Sequence, residues 1–168
     1  EDPQRKLVLL KYLDGNYTNY MQGRALFHMV NFSLEILNTS REDRQLHEYI
    51  TSNGPEEKVW QIQLEVYEPV SNPSIQVLNW ARANGSCAIT LNCTAERGDN
   101  ISYSWNSRDT SRASELCSHS GSLLHLSYPL QNASIACDCM ASNPVSHQVV
   151  TFSSSKCSYE QGGKSPVC

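Results

Sequence analysis

The first 86 residues of this 168-residue sequence contain no cysteine, and no stretch of the chain is strongly basic or long and apolar. The 13 Lys and Arg and the 17 Asp and Glu are scattered, for a net charge of −4. No basic surface is therefore expected to neutralise a line of phosphates, which excludes nucleic acid as a partner. The longest aliphatic run, residues 7–10, is far shorter than the ~20 residues of a membrane-spanning helix, and the polar N-terminus does not resemble a signal peptide. We therefore expect a soluble chain.

Catalytic patterns are also missing. The five histidines are dispersed along the sequence, no G-x-S-x-G nucleophile elbow occurs, and no glycine-rich phosphate loop follows a predicted strand. We therefore predict that the protein is not an enzyme, binds no small-molecule substrate and needs no cofactor.

The residues that are abundant indicate an oxidising, extracytosolic compartment. Seven cysteines in the second half are dense enough for a disulfide framework. The sequence also has seven N-x-Ser/Thr sites for N-glycosylation, at Asn16, Asn31, Asn38, Asn84, Asn92, Asn100 and Asn132. One such match is common by chance, whereas seven in a short chain predict a glycoprotein.

Short segments of alternating polarity predict an all-β fold without helices. Residues 58–67 alternate, with Trp60 and Ile62 on one face and Gln61 and Gln63 on the other, which predicts a half-buried strand. The turn Asn53-Gly54-Pro55 before it indicates a hairpin. Further strands are predicted at 6–13, 24–29, 32–37, 47–51, 74–78, 88–93, 101–105, 123–127, 134–140 and 148–152. The Ser-rich segment 106–121 is expected to be a loop with at most one weak strand.

A domain boundary is predicted at residues 68–73. The two prolines in this stretch remove backbone donors, so a sheet cannot continue across them.

Three residues of the second half resemble the core pin of an immunoglobulin domain. Cys93, Trp105 and Cys139 have the order of a cysteine on strand B, a tryptophan on strand C and a cysteine on strand F. Strand parity places Cys93 with the apolar Ile89 and Leu91, and Asn92 on the outer face. We therefore predict a Cys93–Cys139 disulfide packed against Trp105.

The other cysteines leave alternatives open. Cys87 lies just ahead of strand B and Cys157 just after the last predicted strand, so these two could form a second bridge, and Cys117 and Cys137 a third. Cys137 lies where such domains carry a corner tyrosine, and Cys168 is left over. Cys117 and His119 with Cys137 and Cys139 also mimic a zinc site. Disulfides are favoured over a metal, because Cys139 is already assigned to Cys93.

Several motifs together resemble the membrane-proximal C2-type domain of the signalling lymphocytic activation molecule (SLAM) family of receptors. They are YEPVSNP at 67–73, NGSC at 84–87, LNCT at 91–94, Gly98-Asp99, YSW at 103–105 and ASNPVS at 141–146. The match covers residues 67–157, and it implies two C2 disulfides among Cys87, Cys93, Cys139 and Cys157. The first part of the chain is similar to the back half of the family's V-type domain, which lacks an inter-sheet disulfide.

The resemblance implies two immunoglobulin-like β-sandwich domains. These are an incomplete V-type domain at 1–67, whose sheet would expose unpaired edges, and a C2-type domain with two or three disulfides at 68–158. A flexible membrane-proximal stalk or tail is expected at 159–168. The implied function is that of a leukocyte adhesion or co-stimulatory receptor on the cell surface, with a single-pass or lipid-anchored precursor. The alternative is a secreted form or decoy that occupies a receptor without signalling.

In this family the V-type domain binds the V-type domain of another copy or of a related member. Carried over to this sequence, the resemblance implies a homophilic or related SLAM-family protein partner. The implied contact residues are the outward positions of the last two strands and their turn, namely Glu48, Ile50, Glu56, Glu57, Lys58, Gln61 and Gln63.

Overall fold

The computed structural model of the chain describes residues 5–108, 114–130 and 134–155. The chain divides into two compact units, Glu1–Val66 and Tyr67–Cys168. This division lies one residue from the predicted boundary, and the expected tail at 159–168 lies outside the described residues. Strands account for nearly all the regular structure, as predicted, with one helical turn, α1 (Ser114–Cys117).

The first unit consists of three antiparallel hairpins. Among the described residues, no strand pairing joins one hairpin to another. Its six strands are β1 Leu10–Leu13, β2 Asn16–Asn19, β3 Ala25–His28, β4 Ser33–Ile36, β5 Leu46–Asn53 and β6 Glu56–Gln63.

Strand β2 was not predicted, because its residues Asn-Tyr-Thr-Asn are mostly polar. Asp14 and Gly15, which join it to β1, both have positive φ (50° and 82°). Such a turn favours Asp-Gly and matches the twist of the strands on either side. The Asp-Gly pair was therefore the sequence feature that could have identified this hairpin.

The first unit has almost no core. Among its described residues, only Ala25 and Asp43 are buried. Tyr17 packs on Phe27 with ring centroids 5.2 Å apart, and Tyr12 packs on Phe32 at 5.2 Å. These four rings form a cluster between the first two hairpins, and the cluster stays partly open to solvent. The unit therefore buries little apolar area, and the hydrophobic effect contributes little to its stability.

Polar contacts of Asp43 also stabilise the first unit. A 3₁₀ turn, Arg41–Asp43, connects β4 to β5. The Asp43 carboxylate accepts a hydrogen bond of 2.8 Å from the Ser40 backbone N–H and forms a 2.7 Å ion pair with Arg24. The backbone hydrogen bond, followed by the Arg24 contacts, holds the pKa of Asp43 below its ordinary value, against the opposing effect of burial.

The second unit is a two-sheet sandwich. One sheet has the order β11-β8-β7 and the other β10-β9-β12-β13. Its strands are β7 Ser74–Ala83, β8 Ser86–Thr94, β9 Ser102–Ser107, β10 His119–Ser120, β11 Leu123–Pro129, β12 Ser134–Asn143 and β13 Ser146–Ser155. Most of these strands extend one or more residues beyond the predicted bounds, since paired backbone continues past the last apolar side chain.

The core of the sandwich is built around Trp105, whose side chain is fully buried. A disulfide joins Cys93 on β8 to Cys139 on β12 and so links the two sheets. The indole N–H of Trp105 donates a 3.3 Å hydrogen bond to the Ser122 carbonyl, which satisfies its only polar group. Residues of β8 alternate between buried and partly exposed as predicted, and Asn92 is half-buried on the outer side.

The remaining cysteines of the described chain are also oxidised. A disulfide connects Cys117 of α1 to Cys137 of β12. Cys87 is fully buried and disulfide-bonded, while its expected partner Cys157, like Cys168, lies outside the described residues. The zinc-site interpretation is therefore wrong, because Cys117, Cys137 and Cys139 are all used in disulfides.

Residues 68–71 are fastened to two turns of the second unit. The Asn143 amide donates to the carbonyl oxygens of Glu68 (2.7 Å) and Asp99 (3.0 Å), and the Ser146 hydroxyl accepts from the Val70 N–H at 2.7 Å. Val70 is buried. A Cβ on Gly98 would lie 3.0 Å from the Val70 Cα, so glycine is needed for this close approach.

Candidate recognition surface

The β5–β6 hairpin presents two exposed faces. Its residues pair in register from Leu46 with Gln63 to Asn53 with Glu56, and Gly54 in the turn has positive φ. Paired residues share a face, and successive pairs alternate between faces. We call the face with Glu48, Ile50, Glu57, Val59, Gln61 and Gln63 the polar face, and the face with His47, Tyr49, Trp60 and Ile62 the aromatic face.

A hydrogen-bonded network organises the polar face. Lys6 Nζ lies 2.6 Å from one carboxylate oxygen of Glu48, and the Gln61 amide donates to the other at 3.1 Å. These hydrogen bonds, Lys6 first and Gln61 second, lower the pKa of Glu48. Ile50 and Val59, paired beside this network, are 48% and 50% exposed. The polar face thus combines fixed charge with accessible apolar surface.

The aromatic face is also open. Tyr49 and Trp60 pack in a tilted arrangement with ring centroids 5.6 Å apart, yet Trp60 is 48% and Ile62 59% exposed. The prediction that this face is buried is therefore wrong. Alternation correctly predicted the strand, but no second sheet covers it within the described residues.

The structure divides the seven predicted contact residues between the two faces. Glu48, Ile50, Glu57, Gln61 and Gln63 lie together on the polar face. Glu56 and Lys58 lie on the aromatic face, which corrects their assignment as part of one surface. Both belong to β6 itself rather than to the turn, so their orientation follows strand parity.

Sequence reasoning missed Lys6 and Val59. Val59 has the parity of Gln61 and could have been found from the alternation of β6. Lys6 is 42 positions from Glu48 and was part of a different predicted strand. No local pattern connects the two residues, because their contact depends on tertiary structure.

No glycosylation acceptor lies within the hairpin. In the first unit Asn16 is in β2, Asn31 is in the β3–β4 loop, and Asn38 follows β4. In the second unit Asn84 and Asn100 occupy turns with positive φ. Asn132 lies outside the described residues. The β5–β6 surface would therefore itself carry no glycan.

The described part of the chain has neither a metal centre nor a membrane-spanning helix. Among residues 5–108, 114–130 and 134–155, no three His, Cys, Asp or Glu side chains gather as metal ligands would. The α-helix in those ranges, α1, and the 3₁₀ turn Arg41–Asp43 are both far too short to cross a lipid bilayer.

Comparison with known proteins identifies the family. A dog protein named signaling lymphocytic activation molecule is 35% identical over 155 residues, which cover 92% of this chain and 45% of the relative. The mouse protein of the same name is 34% identical over 167 residues, covering 96% of this chain and 48% of the relative. The chain belongs to the SLAM family. This SLAM-family chain spans about half the length of these curated relatives.

A solved structure supports the fold of the SLAM-family chain. The CD2-binding domain of CD58 (lymphocyte function-associated antigen 3) aligns with a TM-score of 0.52, covering 88% of this chain and 77% of that chain. The sequence identity is 19%, so this likeness shows the immunoglobulin-like fold alone. No family model matches the chain.

Proposed function

We propose that the chain is part of the extracellular portion of a leukocyte adhesion or co-stimulatory receptor, which binds another copy of itself or a related SLAM-family protein. The observation that carries this proposal is the polar face of the β5–β6 hairpin. It is accessible, free of glycosylation acceptors and organised by the Lys6–Glu48–Gln61 network.

The chemistry of this face suits a weak and reversible interface. Ile50 and Val59 offer a small apolar centre, and Glu48, Glu57, Gln61 and Gln63 surround it with polar groups. Interfaces of this kind, with an apolar centre and a polar rim, are typical of transient contacts when the area is small. Cell adhesion uses many such contacts in parallel, so each one can be weak.

The test is an Ile50→Asp variant of the glycosylated chain. A buried, unpaired carboxylate at the centre of the interface should weaken binding by about 2 kcal/mol or more, roughly 30-fold in Kd. Sedimentation velocity of the chain alone measures self-association, and surface plasmon resonance against SLAM-family ectodomains measures binding to relatives.

The matched control is Thr51→Asp. Thr51 is the next residue along β5 and is also exposed, but it lies on the aromatic face. We expect this variant to bind like the wild type. An equal loss of affinity in both variants would contradict the proposed surface. So would a wild-type chain that, at high concentration, binds neither itself nor the SLAM-family ectodomains.

A further inference from the structure

The tip of the β3–β4 hairpin is an exposed apolar loop with a glycosylation acceptor at its centre. Residues 29–32 form this loop. Val30 is 99% exposed, Met29 45% and Phe32 44%. Apolar side chains grouped at a loop tip expose surface that soluble proteins usually cover. Asn31, in the middle of the group, begins an Asn-Phe-Ser acceptor motif.

Local hydrogen bonds prepare Asn31 for modification. Its side-chain oxygen Oδ1 accepts a 2.8 Å hydrogen bond from the Ser33 hydroxyl and a 3.2 Å bond from the Ser33 backbone N–H. The oxygen accepts both hydrogen bonds. In the part of the chain that the structure describes, the amide nitrogen Nδ2 has no hydrogen-bond partner. Because the contacts span only two residues, they can form in a chain that has not yet folded.

We propose that Asn31 carries an N-linked glycan whose inner sugars cover the apolar tip formed by Met29, Val30 and Phe32. In the transfer, Nδ2 of Asn31 forms a bond to C1 of an oligosaccharide activated as a lipid diphosphate. The bond from C1 to the diphosphate oxygen breaks, the electron pair leaves with the diphosphate, and the proton lost from Nδ2 passes to the surrounding water. The inference rests on the extracellular location proposed above, because N-linked glycans are added to chains during their export to that location.

A tethered glycan suits this tip better than a separate partner does. Sugar rings have C–H faces that can pack on Phe32 and Val30 while their hydroxyl groups remain in water. Attachment at Asn31 keeps the sugar beside these side chains, so weak packing is sufficient to hold it there. A protein or membrane docking on the same tip would have to displace the glycan.

The experiment compares Asn31→Gln with Asn38→Gln in chain produced by a glycosylating cell. Asn38 is an acceptor in the same unit, followed by polar Thr39 and Ser40. Glycopeptide mass spectrometry should find Asn31 occupied in the wild type and in N38Q. A neutral dye that fluoresces on apolar surface should bind more strongly to N31Q, and N31Q should shift toward larger species in sedimentation, whereas N38Q should not.

Two further measurements remove the ambiguity of a misfolded variant. Enzymatic removal of glycans from folded wild-type protein should raise dye binding as N31Q does. The double variant Val30→Ser, Asn31→Gln should return dye binding toward the wild-type level. An unoccupied Asn31, or dye binding of N31Q equal to that of N38Q, would overturn the proposal. So would binding of the glycosylated wild-type tip to lipid vesicles, since the tip would then be uncovered.

The outcome is separable from that of the proposed function. An unoccupied Asn31 in a chain that still binds SLAM-family ectodomains contradicts the glycan inference alone. An occupied and covered tip in a chain that binds no ectodomain contradicts the recognition surface alone.

Discussion

At the scale of single residues, Trp105 has the largest structural role in the second unit. It is fully buried beside the Cys93–Cys139 disulfide that joins the two sheets. Its position could be predicted, because parity within β8 and β9 places the cysteine and the indole on inward faces. The contribution of Asn143 could not be predicted. Its motif stood out in the sequence, but its bonds to Glu68 and Asp99 join segments far apart in the chain.

We expect Trp105→Ala to destabilise the second unit by about 3–5 kcal/mol, because the substitution leaves a cavity between the sheets. Trp80→Ala is the matched control, since Trp80 lies on β7 and is 53% exposed. It should change stability by less than about 1 kcal/mol. Urea unfolding followed by circular dichroism measures both, and equal effects would show that the indole is not the centre of the core.

At the scale of elements, a correctly predicted strand can still have a wrongly predicted buried face. Alternation in β6 correctly indicated a strand, but the same pattern wrongly predicted that Trp60 and Ile62 are buried. Alternation reports which side chains share a face, whereas burial requires another layer to cover that face. In β8 the opposing sheet is present and the burial pattern follows the alternation. Strand β2 was missed because its mostly polar side chains show no alternation. Only the Asp14-Gly15 turn before it indicated a hairpin.

The 3₁₀ turn before β5 should make the first unit sensitive to acid. The folded state lowers the pKa of Asp43, so its contribution is present at neutral pH and is lost as pH falls below about 4 and through the lowered value. Hydrogen exchange of residues 40–46, compared between variants at each pH, should show this loss in the wild type.

In Asp43→Asn, the protection of residues 40–46 against hydrogen exchange should no longer fall between neutral and acidic pH. The reason is that the variant has no carboxylate at position 43 to protonate. Glu42→Gln alters a neighbouring exposed carboxylate in the same turn and should behave like the wild type. A wild-type acid response that persists unchanged in D43N would show that another group is responsible.

At the scale of the whole molecule, the two units are stabilised by different means. The second unit has a packed core and disulfides, whereas the described part of the first buries two residues and its sequence has no cysteine. The sequence predicted that the disulfides would lie in the second unit, because the distribution of cysteines is directly visible. It could not predict that the described part of the first unit would form three hairpins with no strand pairing between them, since pairing partners far apart in sequence leave no local pattern.

Reduction should therefore affect the two units differently. The Cys93–Cys139 and Cys117–Cys137 bridges close loops with sequence separations of 46 and 20 residues. Loop-closure entropy assigns them about 4 and about 3 kcal/mol. Hydrogen exchange with and without a thiol reductant should show faster exchange in β8 and β12 and no change in β5 and β6. Faster exchange throughout the chain would indicate that the first unit depends on the second for its fold.

The attachment of residues 68–71 has a mechanical consequence. A pulling force applied to the N-terminal side of the second unit acts on residues 68–71 before it reaches β7. These residues are hydrogen-bonded to the Asn143 and Ser146 side chains. Those side chains lie at the turn between β12 and β13, so the load passes directly into the strand that carries Cys137 and Cys139. These hydrogen bonds therefore share the load with β7, and the part that reaches β12 is passed on through its two disulfides to β8 and α1.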